Sequence, residues 1–83
     1  MKVIVFSSPG CNPCDQVKKF LRDHEVEFEL YSYDRAPEYF KKYDVNTVPT
    51  TVLFNAKNEP VAQIFGFKPG PLKALVDTVK NNG

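Results

Sequence analysis

The order of local signals along this chain predicts an α/β fold, βαβαββα, in which one mixed four-stranded sheet carries helices on both faces. Three observations predict it. Val3 to Phe6 is an unbroken run of β-branched and aromatic residues, the pattern of a strand buried on both faces. Val17, Phe20, Leu21 and His24 then recur at i, i+3, i+4 and i+7, the spacing of a helix with one apolar stripe. Toward the C-terminus two strand-like runs are joined by a short polar turn, which predicts an antiparallel hairpin.

Taken in order, the first strand is expected over Lys2 to Ser7, ended by Ser8, Pro9 and Gly10. The first helix starts at the Cys pair, with Pro13 in its first turn, where a missing N–H leaves nothing unpaired. Val26, Phe28 and Leu30 alternate with Glu27, Glu29 and Tyr31, which predicts a second strand from Val26 to Tyr33. Asp34 to Pro37 opens a short helix through Tyr43, with Tyr39, Phe40 and Tyr43 as core anchors. After a break at Asn46 to Pro49, strands are expected at Thr50 to Phe54 and Val61 to Phe65, around a turn at Asn55 to Asn58. Gly66 to Pro71 reads as a loop, and Leu72, Leu75, Val76 and Val79 mark a final helix. The βαβ half supplies a parallel strand pair, whose crossover demands covered faces, and the ββα half an antiparallel one.

With 83 residues the chain is expected to form a single domain, because one core organises roughly 50 to 200 residues. Such a core is thin and leans on the seven Phe and four Tyr. Apolar residues at 42% and charged ones at 25% match an ordinary globular protein, which argues against disorder. A net charge of +1, with no block of like sign, excludes the clustered basic contacts that nucleic acid requires. No apolar run approaches the roughly 18 residues of a membrane span. The chain is expected to be a cytoplasmic monomer.

The two cysteines, Cys11 and Cys14, are too few and too close to staple a small domain. In a reducing compartment such a pair points to chemistry or metal ligation. A closed zinc site needs four ligands, and the one histidine, His24, is better placed near a helix C-terminus, where a cation is favourable. Between a buried strand and a helix start, Cys11 is set to be a thiolate stabilised by free helix N–H groups. Cys14 extends the Val17 and Leu21 stripe and is expected beneath it. Cys11 is therefore the expected nucleophile and Cys14 the resolving thiol. A redox-inert pair in an interaction module is the competing reading.

Three stretches carry a resemblance across nearly the whole chain: VIVFSSPGCNPC from Val3 to Cys14, DVNTVPT from Asp44 to Thr50, and GFKP from Gly66 to Pro69. Together they resemble the thioredoxin-like redoxins, and the chain's length and direct start on a strand are similar to the small glutaredoxins and glutaredoxin-like redoxins. The resemblance implies the thioredoxin fold, a redox-active Cys11–Cys14 disulfide, no bound cofactor, and NADPH acting indirectly through a reductase. It implies a cis peptide before Pro49 and substrate contacts from Gly10, Asn12, Thr47, Val48, Pro49, Gly66 and Phe67, with Val48 pairing an extended segment and Pro13 shaping the site. Its implied partners are disulfide-containing proteins, ribonucleotide reductase among them, with thioredoxin reductase or glutathione as reductant; some glutaredoxins instead carry a glutathione-coordinated iron–sulfur cluster. Glutathione users commonly have Gly-Gly, a polar residue and Asp after the last strand, where this chain has Gly66-Phe67-Lys68, so a flavoprotein reductase is the expected reductant. Thioredoxins typically carry a Trp and a buried Asp where this chain has Gly10 and Val5, which leaves the proton carrier for Cys14 unassigned.

Overall fold

The computed structural model describes residues 1–82. Its elements run β1 Lys2–Ser7, α1 Asn12–Asp23, β2 Glu29–Ser32, α2 Pro37–Lys42, β3 Thr50–Phe54, β4 Pro60–Phe65 and α3 Pro69–Asn82. The strands form one sheet in the order β2-β1-β3-β4. β1 lies parallel to β2 and antiparallel to β3, which pairs in turn with antiparallel β4. This is the expected βαβαββα arrangement.

The unbroken apolar run of β1 makes physical sense in the centre of the sheet, where each side chain faces a layer of its own. Val3 and Val5 join Leu53 and Ile64 beneath Val17 and Leu21 of α1 and Leu72, Leu75 and Val76 of α3. Ile4 and Phe6 join Val52 and Phe54 beneath Phe40 and Val45 on the opposite face. Helices α1 and α3 thus cover one face and α2 the other. Phe6 is the centre of the second layer, with the rings of Tyr31, Phe40 and Tyr43 packed edge-on at 5.7, 5.2 and 5.8 Å.

Five expectations are corrected. The second strand begins at Glu29 rather than Val26. Val26 instead closes α1: Glu25 takes a positive φ of 59° while the N–H groups of Glu25 and Val26 donate to the carbonyls of Arg22 and Leu21 at 3.0 and 2.9 Å. That is a Schellman motif, and its apolar residue packs back on the helix it ends. The alternation in β2 also points the other way, since Leu30 at the sheet edge is 43% exposed while Tyr31 packs on Phe6.

The second helix is shorter than expected, starting at Pro37, because Asp34 to Ala36 are held in a turn by N–H groups of Arg35 and Ala36 on the Ser32 carbonyl and by the Ser32 hydroxyl on the Asp34 carboxylate. It ends as α1 does, with Asp44 at φ 55° and Val45 donating to Phe40 at 2.8 Å. The last helix starts earlier, at Pro69. Pro69 and Pro71 fall in its first turn, where backbone N–H groups have no intrahelical acceptor, so the loop-like composition suits a helix start. Finally, β4 includes Pro60, and its register against β3 slips after Leu53, leaving Val61 outside the pairing.

Candidate active site

The site forms at the C-terminal end of β1, where the chain must leave the sheet and enter α1. Pro9 and Gly10 make that turn, and Gly10 does so at φ +72°, a conformation that a side chain disfavours. Cys11 follows as the N-cap of α1, in extended conformation. Its sulfur accepts a hydrogen bond from the Cys14 N–H at 3.2 Å. Sulfur therefore takes the place that a Ser or Asp oxygen fills in most caps, at the positive end of the helix dipole. Pro13, in the first turn, spends no N–H that the cap would need.

Cys11 and Cys14 are joined in a disulfide with Cα atoms 5.2 Å apart. Their surroundings differ sharply. Cys11 is partly exposed, whereas Cys14 is 1% exposed and sits one turn ahead of Val17 on the buried stripe of α1. Asn12 and Pro13 are exposed. Asp15, next to Cys14, faces solvent and pairs with Lys18 at 3.1 Å.

The second part of the site comes from β3. Phe6 stands opposite Thr50, which sets Pro49 beside the end of β1 from which the cysteine loop departs. The Val48–Pro49 peptide is cis, as the resemblance implies. Pro49 is buried, Val48 is half-buried against the aromatic layer, and Thr47 is exposed with its carbonyl accepting the Thr50 hydroxyl at 2.5 Å. Gly66, at φ +78°, donates its N–H to the Pro49 carbonyl at 2.8 Å and so ties the end of β4 to this loop. Phe67 turns away from the surface, half-buried, its ring edge-on to Phe20 of α1 at 6.2 Å. His24, the C-cap of α1, also packs on Phe20, with the rings tilted and their centroids 4.4 Å apart.

Two residues that the sequence did not single out belong to this neighbourhood. Tyr33, exposed, lines an open cleft of about 430 Å³ with Ser8, Asn46 and Val48, and its N–H donates to the Ser7 carbonyl at 2.9 Å. Thr51 is fully buried, and among the described residues its hydroxyl alone is a buried side-chain oxygen without a hydrogen-bond partner. The available signal was a polar residue within a strand otherwise buried on both faces. Among the described residues no group of three or more His, Cys, Asp or Glu side chains is placed to hold a metal ion, and no helix is long and apolar enough to cross a membrane.

The chain as a whole has counterparts among known proteins. The thioredoxin-like protein YosR, derived from the SPbeta prophage of Bacillus subtilis, is 32% identical over 80 residues, spanning 96% of this chain and 100% of its own. The oxidised thioredoxin of Plasmodium falciparum superposes with a TM-score of 0.79 at 20% identity, over 93% of this chain and 78% of that one. The glutaredoxin-like NrdH-redoxin of Escherichia coli does so with a TM-score of 0.75 at 19% identity, over 90% and 95%. These two structures establish the thioredoxin fold. The glutaredoxin family model matches residues 3–55, the span that holds both cysteines and the cis proline. The chain belongs to the glutaredoxin family, among the thioredoxin-like redoxins.

Proposed function

We propose that this chain is a dithiol protein-disulfide reductase in which Cys11 is the nucleophile and Cys14 the resolving thiol. The observation that carries the reading is the asymmetry of the two sulfurs: one is partly exposed at a helix N-cap with an N–H aimed at it, the other is buried beneath. An N–H aimed at the sulfur and the positive end of a helix dipole are the groups that stabilise a thiolate, the attacking form. The Cys11 thiolate attacks a substrate disulfide and expels the first substrate thiolate. Cys14 then attacks Cys11 in the mixed disulfide, releasing the second substrate thiol and closing the Cys11–Cys14 bond. Two electrons pass from the protein thiols to the substrate.

In this reading an extended substrate segment pairs with the backbone of Val48, in the manner of a short added strand. Gly10, Asn12, Thr47, Pro49, Gly66 and Phe67 flank it, and the cleft beside Tyr33 receives a substrate side chain. The reductant is a flavoprotein reductase fed by NADPH rather than glutathione. In support, the chain has Gly66-Phe67-Lys68 after its last strand, and the E. coli NrdH-redoxin, similar in fold, is described as glutaredoxin-like with a thioredoxin-like activity profile. Ribonucleotide reductase is the candidate substrate, and the cytosol, whose thiol pools keep cysteines reduced, the compartment.

The test supplies NADPH with either thioredoxin reductase or glutathione and its reductase, and follows reduction of insulin and of ribonucleotide reductase. Turnover is expected with the first system and little with the second; the reverse result overturns the choice of reductant. Cys11→Ser is expected to abolish turnover, and Cys14→Ser to accumulate a mixed disulfide with substrate. Equal, sluggish labelling of both thiols by iodoacetamide at mildly acidic pH would sink the enzyme reading in favour of a redox-inert binding module. A coloured protein, purified without oxygen in the presence of glutathione and iron, would favour an iron–sulfur carrier.

A further inference from the structure

Cys14 must give up a proton to attack the mixed disulfide, yet it sits where a thiolate is disfavoured. Burial in apolar surroundings raises a thiol pKa. Among the described residues the buried polar side chains outside the disulfide are Ser7, Thr50 and Thr51, and none of them ionises near neutral pH. Cys14, 1% exposed, heads the buried stripe of α1 whose Val17 and Leu21 pack into an aliphatic layer with Val5, Leu53, Leu72 and Val76. The parts of β1, β3 and β4 that enter it, Val3 to Ser7, Thr50 to Phe54 and Pro60 to Phe65, contain no charged residue. Charged residues of α1 and α3 pair at the surface instead, Asp15 with Lys18 at 3.1 Å and Lys73 with Asp77 at 2.6 Å. No carboxylate is therefore at hand to take the proton or steady the charge.

One polar atom is. Thr51 lies directly opposite Val5 in the β1–β3 ladder, and cross-strand partners share a face. That face is the one α1 covers through the stripe that Cys14 begins, because Val5, Leu53, Val17 and Leu21 are packed together on it. Thr51 is 0% exposed and its Oγ1 has no hydrogen-bond partner in the disulfide form. A buried hydroxyl left unpaired is costly and rare, and such groups in native folds call for an explanation.

We propose that Thr51 is the positioning residue for Cys14, its hydroxyl donating a hydrogen bond to the Cys14 sulfur once that sulfur is released from the disulfide and becomes a thiolate. The proposal rests on the dithiol reading above. In the oxidised protein both sulfurs are bonded to each other and accept hydrogen bonds weakly, so the hydroxyl waits without a partner. In the mixed disulfide the Cys14 Sγ–H ionises with the Thr51 O–H pointing at it. The thiolate attacks the Cys11 sulfur, the new S–S bond closes, and the departing substrate thiolate takes up the proton to leave as a thiol. Thr51 keeps its own proton throughout. It acts by favouring the charged sulfur, as hydrogen bonds to charged groups do more strongly than neutral ones.

Ellman's reagent separates the two thiols. Reduced protein mixed with one equivalent releases a first thionitrobenzoate as Cys11 is capped and a second as Cys14 displaces the cap; both are followed by stopped-flow absorbance against pH. Thr51→Val keeps shape and removes the hydroxyl. It is expected to leave the first release within about twofold of the parent while slowing the second about tenfold at neutral pH and moving its pH midpoint up by about one unit. Thr51→Ser, which keeps a hydroxyl, is expected to restore both within about threefold. Should valine not be accommodated, Thr51→Ala removes the same group and reads the same two quantities. A second release with unchanged rate and pH midpoint in the hydroxyl-less variants overturns the role of Thr51 and leaves the dithiol mechanism standing. Absence of any second release in the parent protein overturns the dithiol reading itself.

Discussion

At Tyr31 a phenol keeps its proton well beyond its ordinary range. Desolvation against the aromatic layer, followed by its hydrogen bond to the Glu29 carboxylate at 3.0 Å and the charge of that carboxylate, pushes its pKa up to about 12. The folded protein therefore holds this proton more tightly than the unfolded chain. Its contribution to stability is complete below about pH 10 and is lost as pH rises through about 12. Denaturation midpoints measured across that window are expected to fall less steeply in Tyr31→Phe than in the parent. Gly10 poses a simpler question, since a Cβ there would meet no atom within 4 Å. Only the backbone resists a side chain, at φ +72°, and that resistance is worth about 1–2 kcal/mol. Gly10→Ala is expected to lose that much in urea titrations. Because Cys11 follows directly, the variant also tests how far the cap depends on the turn.

The elements end in a way that composition hides. Both α1 and α2 close on a Schellman motif with an acidic residue, Glu25 or Asp44, in the left-handed position that glycine usually fills. An ordinary side chain there costs about 1–2 kcal/mol, partly offset in a Gly variant by about 0.5–1 kcal/mol of extra backbone entropy. Aspartate tolerates that region better than glutamate. Glu25→Gly is therefore expected to raise stability, by up to about 1 kcal/mol, and Asp44→Gly by less; chemical denaturation distinguishes them. The same motif explains why β2 starts later than local alternation predicts. Val26 looks like the first residue of an alternating strand, and its local pattern is compatible with one, but its burial comes from folding back onto Leu21. The prolines of α3 misled in the opposite direction, since Pro69 and Pro71 read as a loop and are harmless where no N–H is needed. Strand β1 and the stripe of α1 were legible because burial on both faces, or along one stripe, leaves a periodic trace in sequence. The Cys11 cap was legible from its place between them. The role we assign Thr51 was not, because it depends on what stands opposite, and cross-strand register is not written in local order.

For the whole molecule, the two core layers are unequal in kind: aliphatic beneath α1 and α3, aromatic beneath α2. The active-site strand joins them, and Phe6 holds the aromatic one together. A Phe→Ala change in a core costs about 3–5 kcal/mol, against roughly 4–12 kcal/mol for the total stability of a chain this size. Phe6→Ala is expected to lose most of its cooperative thermal transition, which calorimetry would register.

The slip in pairing at Val61 bears on how the protein behaves in a crowd. A sheet with β2 and β4 at its rims offers two rows of unpaired backbone groups that another copy could extend. On β4, Pro60 lacks the N–H that such an addition would use, and Val61, 51% exposed, stands out of line with the ladder. On β2 the row is only four residues long and carries the charges of Glu29 and nearby Lys2, 3.8 Å apart. If partners are recognised by adding a strand near Val48, as proposed above, the protein must avoid adding its own kind elsewhere, and the two blunted rims serve that need.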